Sequence, residues 1–157
     1  MFWTHKKILL RSPLSGTQVR IEDIPDFVFS EKIVGDGAAV NPSEEGVVRA
    51  PCAGRIKVAF SAGHAVEMTT DEGVDILIHV GIDTVEMNGA GFEALAGQGD
   101  AVEQGQPLFR FDLEAIRAAG KCPISPVVIT NMSCVKKLEV LPGPYTAGKT
   151  PILEVFL

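Results

Sequence analysis

The stretch Val74-Asp75-Ile76-Leu77-Ile78-His79-Val80-Gly81 is the most apolar strand-like run of the chain, and it decides the fold class. A β-strand points successive side chains to opposite faces of its sheet. His79 therefore shares one face with Asp75 and Leu77, while the intervening isoleucines and Val80 point to the other face. The run predicts a buried strand that carries one histidine among apolar neighbours.

A hairpin is predicted between this strand and the preceding segment, His64–Met68. The linker Thr69–Gly73 has the composition of a turn. A turn centred on this linker places His64 opposite His79, with Cβ atoms ~4.5–5.5 Å apart. A bulge at Gly73 would slip the pairing by one residue and could place the two side chains on opposite faces.

Strand-like runs make up most of the remaining apolar sequence, and Gly, Pro, Asn and Asp separate them. Helical periodicity is scarce: the best helix is Leu113–Ala119 with Asp112 as its N-cap, and shorter helical turns are expected over Asp26–Lys32 and Phe92–Ala96. This pattern predicts an all-β fold, an antiparallel β-sandwich or barrel with a few short helices. Besides the hairpin, the predicted strands are Gln18–Ile21, Gly46–Ala50, Arg55–Phe60, Leu108–Phe111, Val127–Thr130, Val135–Leu141 and Ile152–Phe156.

Two pairs of segments resemble each other within the chain. Ser12–Gly16 (SPLSG) is similar to Ala50–Gly54 (APCAG), and each leads into a predicted strand. The run GDAVEQGQPLFRF from Gly99 is similar to GPYTAGKTPILEVF from Gly143, which has one extra residue. These similarities predict an internally duplicated motif. No linker divides the chain, so we expect a mobile N-terminal segment over residues 1–10 and one domain over residues 11–157.

The charge of the chain is acidic and unevenly distributed. The 157 residues carry a formal net charge of −6, and a chain near ~150 residues is long enough to bury a single core. An acidic chain disfavours nucleic acid and anionic membranes as partners, because both require a Lys/Arg surface. The block Val58–Phe109 contains no Lys or Arg. Its acids are Glu67, Asp71, Glu72, Asp75, Asp83, Glu86, Glu93, Asp100 and Glu103.

The sequence favours a cytoplasmic location. No run approaches the ~20 apolar residues of a membrane span, and Ile8, Leu9 and Leu10 are too few for the apolar core of a signal peptide. The cysteines are odd in number and lack a CxxC spacing, which is typical of reduced thiols rather than of a disulfide framework or a thiolate metal site. They are Cys52, Cys122 and Cys134.

A facing pair of histidines supports three kinds of chemistry: metal binding, phosphoryl acceptance with stabilisation by the second ring, or acid–base catalysis. The alternative is that His64 is a turn residue and His79 a hydrogen-bonded residue of a sheet. A zinc enzyme would need a third ligand, for which Asp75 or Asp83 are candidates. The chain has no HExxH and no G-x-S-x-G, so a zinc peptidase motif and a serine hydrolase motif are both absent from the sequence.

Carrier domains that bear biotin or lipoate share part of this pattern. APCAG from Ala50, followed much later by GDAVEQGQ from Gly99, resembles their scaffold. Those families attach the cofactor to a Lys on an exposed hairpin, and Val58–Phe109 has no Lys. The resemblance is therefore one of architecture only.

Longer motifs resemble the glucose-family IIA component of the bacterial phosphoenolpyruvate-dependent sugar phosphotransferase system, from about Leu10 to the C-terminus. The most specific of these motifs is H-V-G-I-D-T-V from His79. The resemblance implies an antiparallel β-sandwich and a phosphocarrier that requires no cofactor. The matching segments are FSEKIVGDG from Phe29, APCAG from Ala50, GHAVEM around His64, ILIHVGIDTVEMNGAGF around His79, SPVVITNM from Ser125 and GKTPILEV near the C-terminus.

The resemblance assigns the two histidines distinct roles. His79 is the phosphoryl acceptor through Nε2, His64 stabilises the phosphoryl group during transfer, HPr is the donor and a cysteine of a IIB domain is the acceptor. An imidazole is largely neutral near pH 7, so its lone pair can attack phosphorus, and apolar surroundings exclude water from the product. We also expect backbone N–H groups near Gly81–Asp83 to orient His79.

A docking surface around the histidines is also implied by the resemblance. Its apolar residues would be Val28, Phe29, Ile33, Val34, Phe60, Val66, Leu77 and Val85, each of which is equally explained as core, and Asp26 and Asp83 would meet basic residues of HPr. Ala62 stands where close relatives can carry a Thr, and Val66 and Leu77 replace bulkier aromatic residues. A zinc ion could bridge His64 and His79 with a carboxylate from a partner.

Two alternatives to the relay stay open at this stage. One is a regulatory binding module whose phosphorylation state is read by other proteins. The other is a zinc-dependent hydrolase of related β-sandwich architecture. The sequence does not indicate the sugar or the oligomeric state, although the family resemblance favours a monomer.

Overall fold

The computed structural model describes residues 6–43 and 46–157. These residues form thirteen strands, two short α-helices and three single 3-10 turns, which lie at Ile21–Asp23, Thr84–Met87 and Met132–Cys134. The α-helices are α1 (Phe27–Ser30) and α2 (Leu113–Ala118). The strands are β1 (Lys7–Arg11), β2 (Gly16–Val19), β3 (Asp36–Pro42), β4 (Gly46–Arg49), β5 (Gly54–Ala59), β6 (Ala65–Thr70), β7 (Asp75–His79), β8 (Phe92–Ala94), β9 (Ala101–Val102), β10 (Pro107–Phe111), β11 (Ser125–Ile129), β12 (Lys137–Val140) and β13 (Pro151–Phe156).

The strands pair antiparallel in three sheets. A seven-stranded sheet has the order β2-β3-β11-β7-β6-β5-β9, and two three-stranded sheets have the orders β1-β13-β12 and β4-β10-β8. Each sheet formed by the described residues is open, with two edge strands, so the expected sandwich is confirmed and a closed barrel is not formed. No helix in the described part of the chain has the length and hydropathy needed to cross a membrane.

Two apolar clusters cover the two faces of the seven-stranded sheet. The larger cluster joins Ile76 and Ile78 of β7 to residues of the three-stranded sheets, such as Phe109 and Leu153. The smaller cluster contains Leu77 and residues of the segment that precedes β3. Because side chains alternate along a strand, His79 lies on the face of Leu77 and the smaller cluster. This smaller cluster positions the site.

The internal repetition predicted from the sequence is present in the backbone hydrogen bonds. The Arg11 N–H donates to the Pro51 carbonyl, and the Arg49 N–H donates to the Pro13 carbonyl, both at 3.0 Å. The residue that precedes each of the segments SPLSG and APCAG thus donates the same hydrogen bond to the proline of the other segment. Each segment leads into a strand of the seven-stranded sheet, β2 or β5.

The two arginines repeat the pattern with their side chains. Arg11 donates from Nη1 to the Lys149 carbonyl at 2.6 Å, and Arg49 donates from Nη1 to the Gly105 carbonyl at 2.9 Å. The acceptors lie in the second pair of similar segments, which contain β10 and β13. Accordingly β4 pairs with β10 as β1 pairs with β13. Sequence similarity, hydrogen bonds and strand pairing therefore describe one duplicated motif.

The register of the β6–β7 hairpin differs from the one with His64 opposite His79. Ala65 lies opposite His79, and Val66 lies opposite Ile78. The Gly73 N–H donates to the Thr70 carbonyl at 2.9 Å, and Gly73 has a φ of 91°, which is typical of a hairpin loop closed by a glycine bulge. The bulge at Gly73 slips the pairing by one residue, as the alternative register predicted.

Two short segments differ from the sequence-based expectation. Phe92–Ala96 does not form a helical turn, because Phe92–Ala94 pairs with β10 as strand β8. Residues 7–10 of the expected mobile N-terminal segment lie in strand β1, which pairs with β13, and Leu10 is fully buried. Residues 1–5 of the expected mobile segment lie outside the described residues, and Lys6 directly precedes β1. Both differences arise from pairing partners that lie far away in the sequence.

The predicted helix at Leu113–Ala119 is confirmed as α2, which ends one residue earlier. The Asp112 carboxylate accepts a hydrogen bond from the Ala115 N–H at 3.2 Å, so Asp112 is the N-cap. The turn predicted over Asp26–Lys32 contains α1, which Asp26 caps by accepting from the Val28 N–H at 2.9 Å. This second cap brings Asp26 to the smaller cluster.

Candidate active site

His79 is the last residue of β7 and lies where the chain leaves the sheet. Its imidazole packs against Phe29 of α1, with ring centroids 5.3 Å apart. Ala65 is its cross-strand neighbour on β6 and is a small side chain buried in the smaller cluster. His79 is half-buried, so the ring combines apolar contacts with access to the surface.

The hydrogen bond of His79 determines which ring nitrogen carries the proton. Nδ1 lies 2.7 Å from the carbonyl oxygen of Gly81. A carbonyl oxygen only accepts hydrogen bonds, so Nδ1 of the neutral ring holds the proton and donates it. Nε2 then has a free lone pair. The expectation that backbone N–H groups of Gly81–Asp83 orient the ring is wrong at Gly81, since its carbonyl is the group that binds His79.

His64 lies one residue before β6, outside the regular alternation of the strand. The preceding residue, Gly63, has a φ of 78°, a conformation that L-residues rarely adopt. This backbone brings His64 to His79 despite the slipped register: the ring centroids are 4.8 Å apart and the ring planes meet at 81°. The structure therefore brings together the two histidines that the sequence paired, by a different local route.

Phenylalanines enclose the His64 ring. The centroid of Phe60 lies 5.9 Å from that of His64, and the centroid of Phe92 lies 6.5 Å away. His64 is only 4% exposed, and its Nδ1 is buried without a hydrogen-bond partner among the described residues. Nε2 is thus the nitrogen of His64 that is available to a group bound at the site.

Burial keeps both imidazoles neutral. Burial, and to a smaller extent the neighbouring His79, lowers the pKa of His64 from 6.5 to about 4. Burial also lowers the pKa of His79, against the hydrogen bond to Gly81 and the carboxylates of Asp26 and Asp83, which raise it. Near pH 7 the pair is uncharged, and one lone pair, on Nε2 of His79, is free for nucleophilic attack.

The family model for the phosphoenolpyruvate-dependent sugar phosphotransferase system, EIIA 1, matches residues 8–135 of this chain. The chain belongs to this EIIA family. It is accordingly a component of the phosphotransferase system in sugar transport, as the resemblance of its motifs predicted.

Named EIIA relatives match nearly the whole chain. The glucose-specific EIIA component of Staphylococcus aureus is 42% identical over 151 residues, which cover 96% of this chain and 90% of the relative. The glucose-specific EIIA component of Staphylococcus epidermidis is 40% identical over the same shares. The solved glucose permease IIA from Mycoplasma capricolum superimposes with a TM-score of 0.90 at 32% identity, covering 98% of this chain and 99% of that chain. The EIIA fold is therefore shared along the full length.

The apolar residues predicted to line an EIIA docking surface occupy three kinds of position. Ile33 and Val85 are 63% and 52% exposed, and Phe60 is 40% exposed. Val28 and Val34 are half-buried, while Phe29 and Leu77 are buried in the smaller cluster beneath His79. The exposed and half-buried residues reach the protein surface, and the two buried residues pack beneath them.

Val66 is not part of this surface. It is 4% exposed and belongs to the larger cluster, on the opposite face of the sheet from His79. The slipped register explains the difference, since it aligns Val66 with Ile78 and Ala65 with His79. Leu77, the other departure from aromatic residues, does lie on the His79 face.

Three features of α1 and of the surroundings of the two histidines are not evident in the motifs. Phe27 is 68% exposed on α1, next to the predicted Val28, and periodicity over so short a helix could not indicate its orientation. Phe92 contacts the His64 ring from β8, a strand that was expected to be a helical turn. Ser125 and Thr84 are fully buried beside the turn after β7. Only the polar backbone groups that they meet in this buried position distinguish them from other Ser and Thr residues.

The acidic block is less uniform in space than in sequence. Asp75, Glu86 and Glu93 form ion pairs with basic residues that flank or lie outside the block. Asp71 and Glu72 lie on the β6–β7 turn, at the other end of the hairpin from His79. Within the block, it is Asp83 whose carboxylate raises the pKa of His79, and Asp26 from outside the block has the same effect.

A zinc ion at the two histidines stays a prediction. His64 and His79 provide two imidazoles, whereas a zinc site uses three or four protein ligands. The residues described contain no group of three His, Cys, Asp or Glu side chains that could hold a metal. A bridging zinc would therefore need its further ligand, such as a carboxylate, from a partner.

Proposed function

We propose that this EIIA chain is a phosphocarrier that accepts a phosphoryl group from HPr on Nε2 of His79 and donates it to a cysteine of a IIB domain. The observation that carries the proposal is the hydrogen bond from Nδ1 of His79 to the Gly81 carbonyl at 2.7 Å. This bond leaves the lone pair on Nε2, the nitrogen that the family resemblance assigns to phosphorylation.

The transfer conserves atoms and electron pairs. The Nε2 lone pair attacks phosphorus, the new P–N bond forms, and the bond between phosphorus and the histidine of HPr breaks with its electron pair returning to that histidine. The His79 ring then carries both the Nδ1 proton and the phosphoryl group and is cationic. The Gly81 carbonyl and the carboxylates of Asp26 and Asp83, which favour the charged ring, stabilise this state.

Donation reverses these events with a different partner. A thiolate of the IIB domain attacks phosphorus, the P–N bond breaks, and Nε2 regains its lone pair. Little covalent rearrangement is required of the protein, so positioning and charge stabilisation are its main contributions. The apolar contacts of Phe29 and Phe60 exclude water from the labile P–N bond between the two events.

His64 has the properties of a neutral hydrogen-bond donor to the phosphoryl oxygens. Its pKa of about 4 keeps it uncharged, and its buried Nδ1 leaves Nε2 to contact the bound group. A neutral donor stabilises the phosphoryl group without holding it as tightly as a cation would. This balance suits a carrier that must release its cargo.

Docking of HPr and of the IIB domain would use the apolar residues that surround the histidines. Phe60 is exposed and lies against the His64 ring, and Asp83 is exposed and raises the pKa of His79. Ile33, Val85 and Phe27 are the other exposed apolar side chains that this docking surface would include. Such a surface combines an apolar centre with acidic positions that attract a basic partner. The names of the relatives favour glucose as the sugar of the system, which the acceptor IIB domain would determine.

The relay is tested with Enzyme I, HPr and labelled phosphoenolpyruvate. We expect one acid-labile label per chain, which is lost in His79→Ala and retained in His64→Ala. Adding IIB domains of the glucose, N-acetylglucosamine and β-glucoside branches should remove the label fastest with the glucose domain. Acid-stable label, or label on His79→Ala, would contradict the proposal.

A further inference from the structure

Ser125 is a fully buried serine at the start of β11, directly beneath the turn that follows His79. Its hydroxyl donates a hydrogen bond to the Pro123 carbonyl at 2.9 Å and accepts one from the Gly81 N–H at 3.1 Å. Because the hydroxyl proton is bound to Pro123, a lone pair of Oγ faces Gly81. The geometry therefore gives the Ser125 hydroxyl a defined direction.

The turn after His79 has a partner for each polar backbone group of Val80 and Gly81. The Val80 N–H donates to the His64 carbonyl at 2.9 Å, and the Val80 carbonyl accepts from the buried Thr84 hydroxyl at 2.5 Å. The Gly81 N–H binds Ser125, and the Gly81 carbonyl binds Nδ1 of His79. A turn with all of these bonds formed has little freedom to reorient its carbonyls.

The direction of the Gly81 carbonyl follows from peptide planarity. In a trans peptide the C=O of Gly81 and the N–H of Ile82 point in opposite directions. The Ile82 N–H donates to the Cys122 carbonyl at 2.9 Å, so the Gly81 C=O points away from Cys122 and toward His79. Cys122 and Ser125 thus anchor the two consecutive peptides of Gly81 from one segment, and Ser125 is the only one of the two that does so with a side chain.

We propose that Ser125 is a positioning residue for His79: by anchoring Gly81, its hydroxyl keeps the Gly81 carbonyl bound to Nδ1–H and so keeps the nucleophilic lone pair on Nε2. The inference deepens the proposed function and rests on it for its consequence, since the held tautomer is the one that accepts phosphate. Ser125 does not touch the reacting atoms. It acts through the Gly81 backbone and the His79 ring.

The direct test is the tautomer of His79, measured by ¹⁵N NMR of the imidazole nitrogens in the unphosphorylated chain. A histidine free in water favours the Nε2–H tautomer, so weakening the Gly81 contact should move His79 toward that form. We expect the wild type to show protonated Nδ1 and unprotonated Nε2. In Ser125→Ala the Nε2–H form should become populated, and the rate of phosphorylation by HPr should fall about 10- to 100-fold.

Ser12 offers a matched control at a distance from the site. It is also fully buried, and its hydroxyl both donates to and accepts from the backbone of Leu14. Ser12→Ala therefore removes the same kind of buried hydroxyl and should lower stability without changing the His79 tautomer. Ser125→Thr keeps the hydroxyl and should restore the wild-type spectrum. Should Ser125→Ala not fold, Ser125→Cys, in which a weakly bonding thiol replaces the hydroxyl, is read in the same way.

The two levels of the proposal fail separately. An unchanged His79 tautomer in folded Ser125→Ala, with a loss of stability like that of Ser12→Ala, would overturn the positioning role. A tautomer shift in Ser125→Ala, together with a wild-type chain that HPr does not phosphorylate, would support the positioning role and refute the phosphocarrier function.

Discussion

The imidazole rings of His64 and His79 meet edge to face with centroids 4.8 Å apart, although Ala65 is the cross-strand neighbour of His79. The contact forms because His64 stands just before β6, after a glycine in the left-handed conformation. The backbone carbonyl of His64 also accepts the Val80 N–H at 2.9 Å. The two histidines are therefore coupled both through their rings and through the turn that orients His79.

Replacing His64 should separate its role from that of His79. In His64→Gln the Nε2 lone pair of His79 is intact, so His79 should still be phosphorylated by HPr. Donation to a IIB domain should slow by about 100-fold, because one hydrogen-bond donor to the phosphoryl group is removed. Single-turnover transfer from phosphorylated protein measures this step. A complete relay at the wild-type rate in His64→Gln would refute the assignment.

The buried His64 should make stability depend on pH. Its pKa is 6.5 in a solvated chain and about 4 in the folded protein, so between these values the unfolded chain binds more protons. This contribution to the free energy of unfolding is complete above about pH 6.5 and is lost as the pH falls toward 4. Between pH 7 and pH 5 only the range below about pH 6.5 contributes, so at about 1.4 kcal/mol for each pH unit the loss amounts to about 2 kcal/mol.

Urea unfolding of wild type and His64→Gln at the two pH values tests this dependence. The loss between pH 7 and pH 5 should be smaller in His64→Gln by about 2 kcal/mol, because the carboxylates titrate alike in both proteins. Equal losses in the two proteins would show that His64 is protonated in the folded state at pH 5.

Asp83 should contribute to the rate of encounter with HPr. Asp83 is exposed, and its carboxylate is close enough to His79 to raise the pKa of that imidazole. Asn tolerates the left-handed conformation that Asp83 adopts, with a φ of 59°, so Asp83→Asn removes the charge with little strain. We expect phosphorylation by HPr at low salt to slow about threefold, and its salt dependence to weaken.

Asp71→Asn is the matched control for Asp83→Asn. Asp71 is exposed on the β6–β7 turn, at the end of the hairpin away from His79, and the screening length at physiological ionic strength is ~8 Å. The control should leave the rate of phosphorylation unchanged. Equal slowing by the two substitutions would refute a specific role of Asp83, and a wild-type rate that does not depend on salt would limit the acidic residues to a role in solubility.

Alanine substitutions at Gly81 and Gly73 separate the cost of backbone strain from the cost of steric crowding by a new Cβ. Both have positive φ, 74° and 91°. A Cβ at Gly81 would lie 2.5 Å from Cγ2 of the buried Thr84 and 3.1 Å from the Cys122 carbonyl, whereas a Cβ at Gly73 would meet nothing within 4 Å. We expect Gly73→Ala to cost about 1 kcal/mol of unfolding free energy and Gly81→Ala about 2–4 kcal/mol.

Chemical denaturation compares the two alanine variants, and the phosphorylation rate gives the functional consequence. Gly81→Ala should also slow phosphorylation, because it displaces the carbonyl that holds Nδ1 of His79. Gly73→Ala should not affect this rate. Similar stability losses in both variants would indicate that the turn after β7 accommodates a side chain and is less rigid than its hydrogen bonds imply.

The site was predictable wherever its residues are close in the sequence. The apolar strand before His79, the nearby His64 and the Asp112 cap of α2 all depend on local patterns, and the structure contains them. The hairpin register was not predictable in this way, because turns centred on Asp71–Glu72 and bulged at Gly73 are both compatible with the same residues. The family resemblance assigned Val66 to the docking surface, and the slipped register instead places it on the opposite face of the sheet.

The amino-acid sequence by itself determined the all-β class, the duplicated motif, the histidine pair and the family, because alternation, turn residues and specific motifs are local properties of the chain. Tertiary structure decided which nitrogen of His79 is free, since Gly81, Cys122 and Ser125 meet only when β11 pairs with β7. It also decided that β1 is anchored, through a partner strand at the opposite end of the chain. Such contacts depend on which distant segments become neighbours, and this depends on the packing of all three sheets.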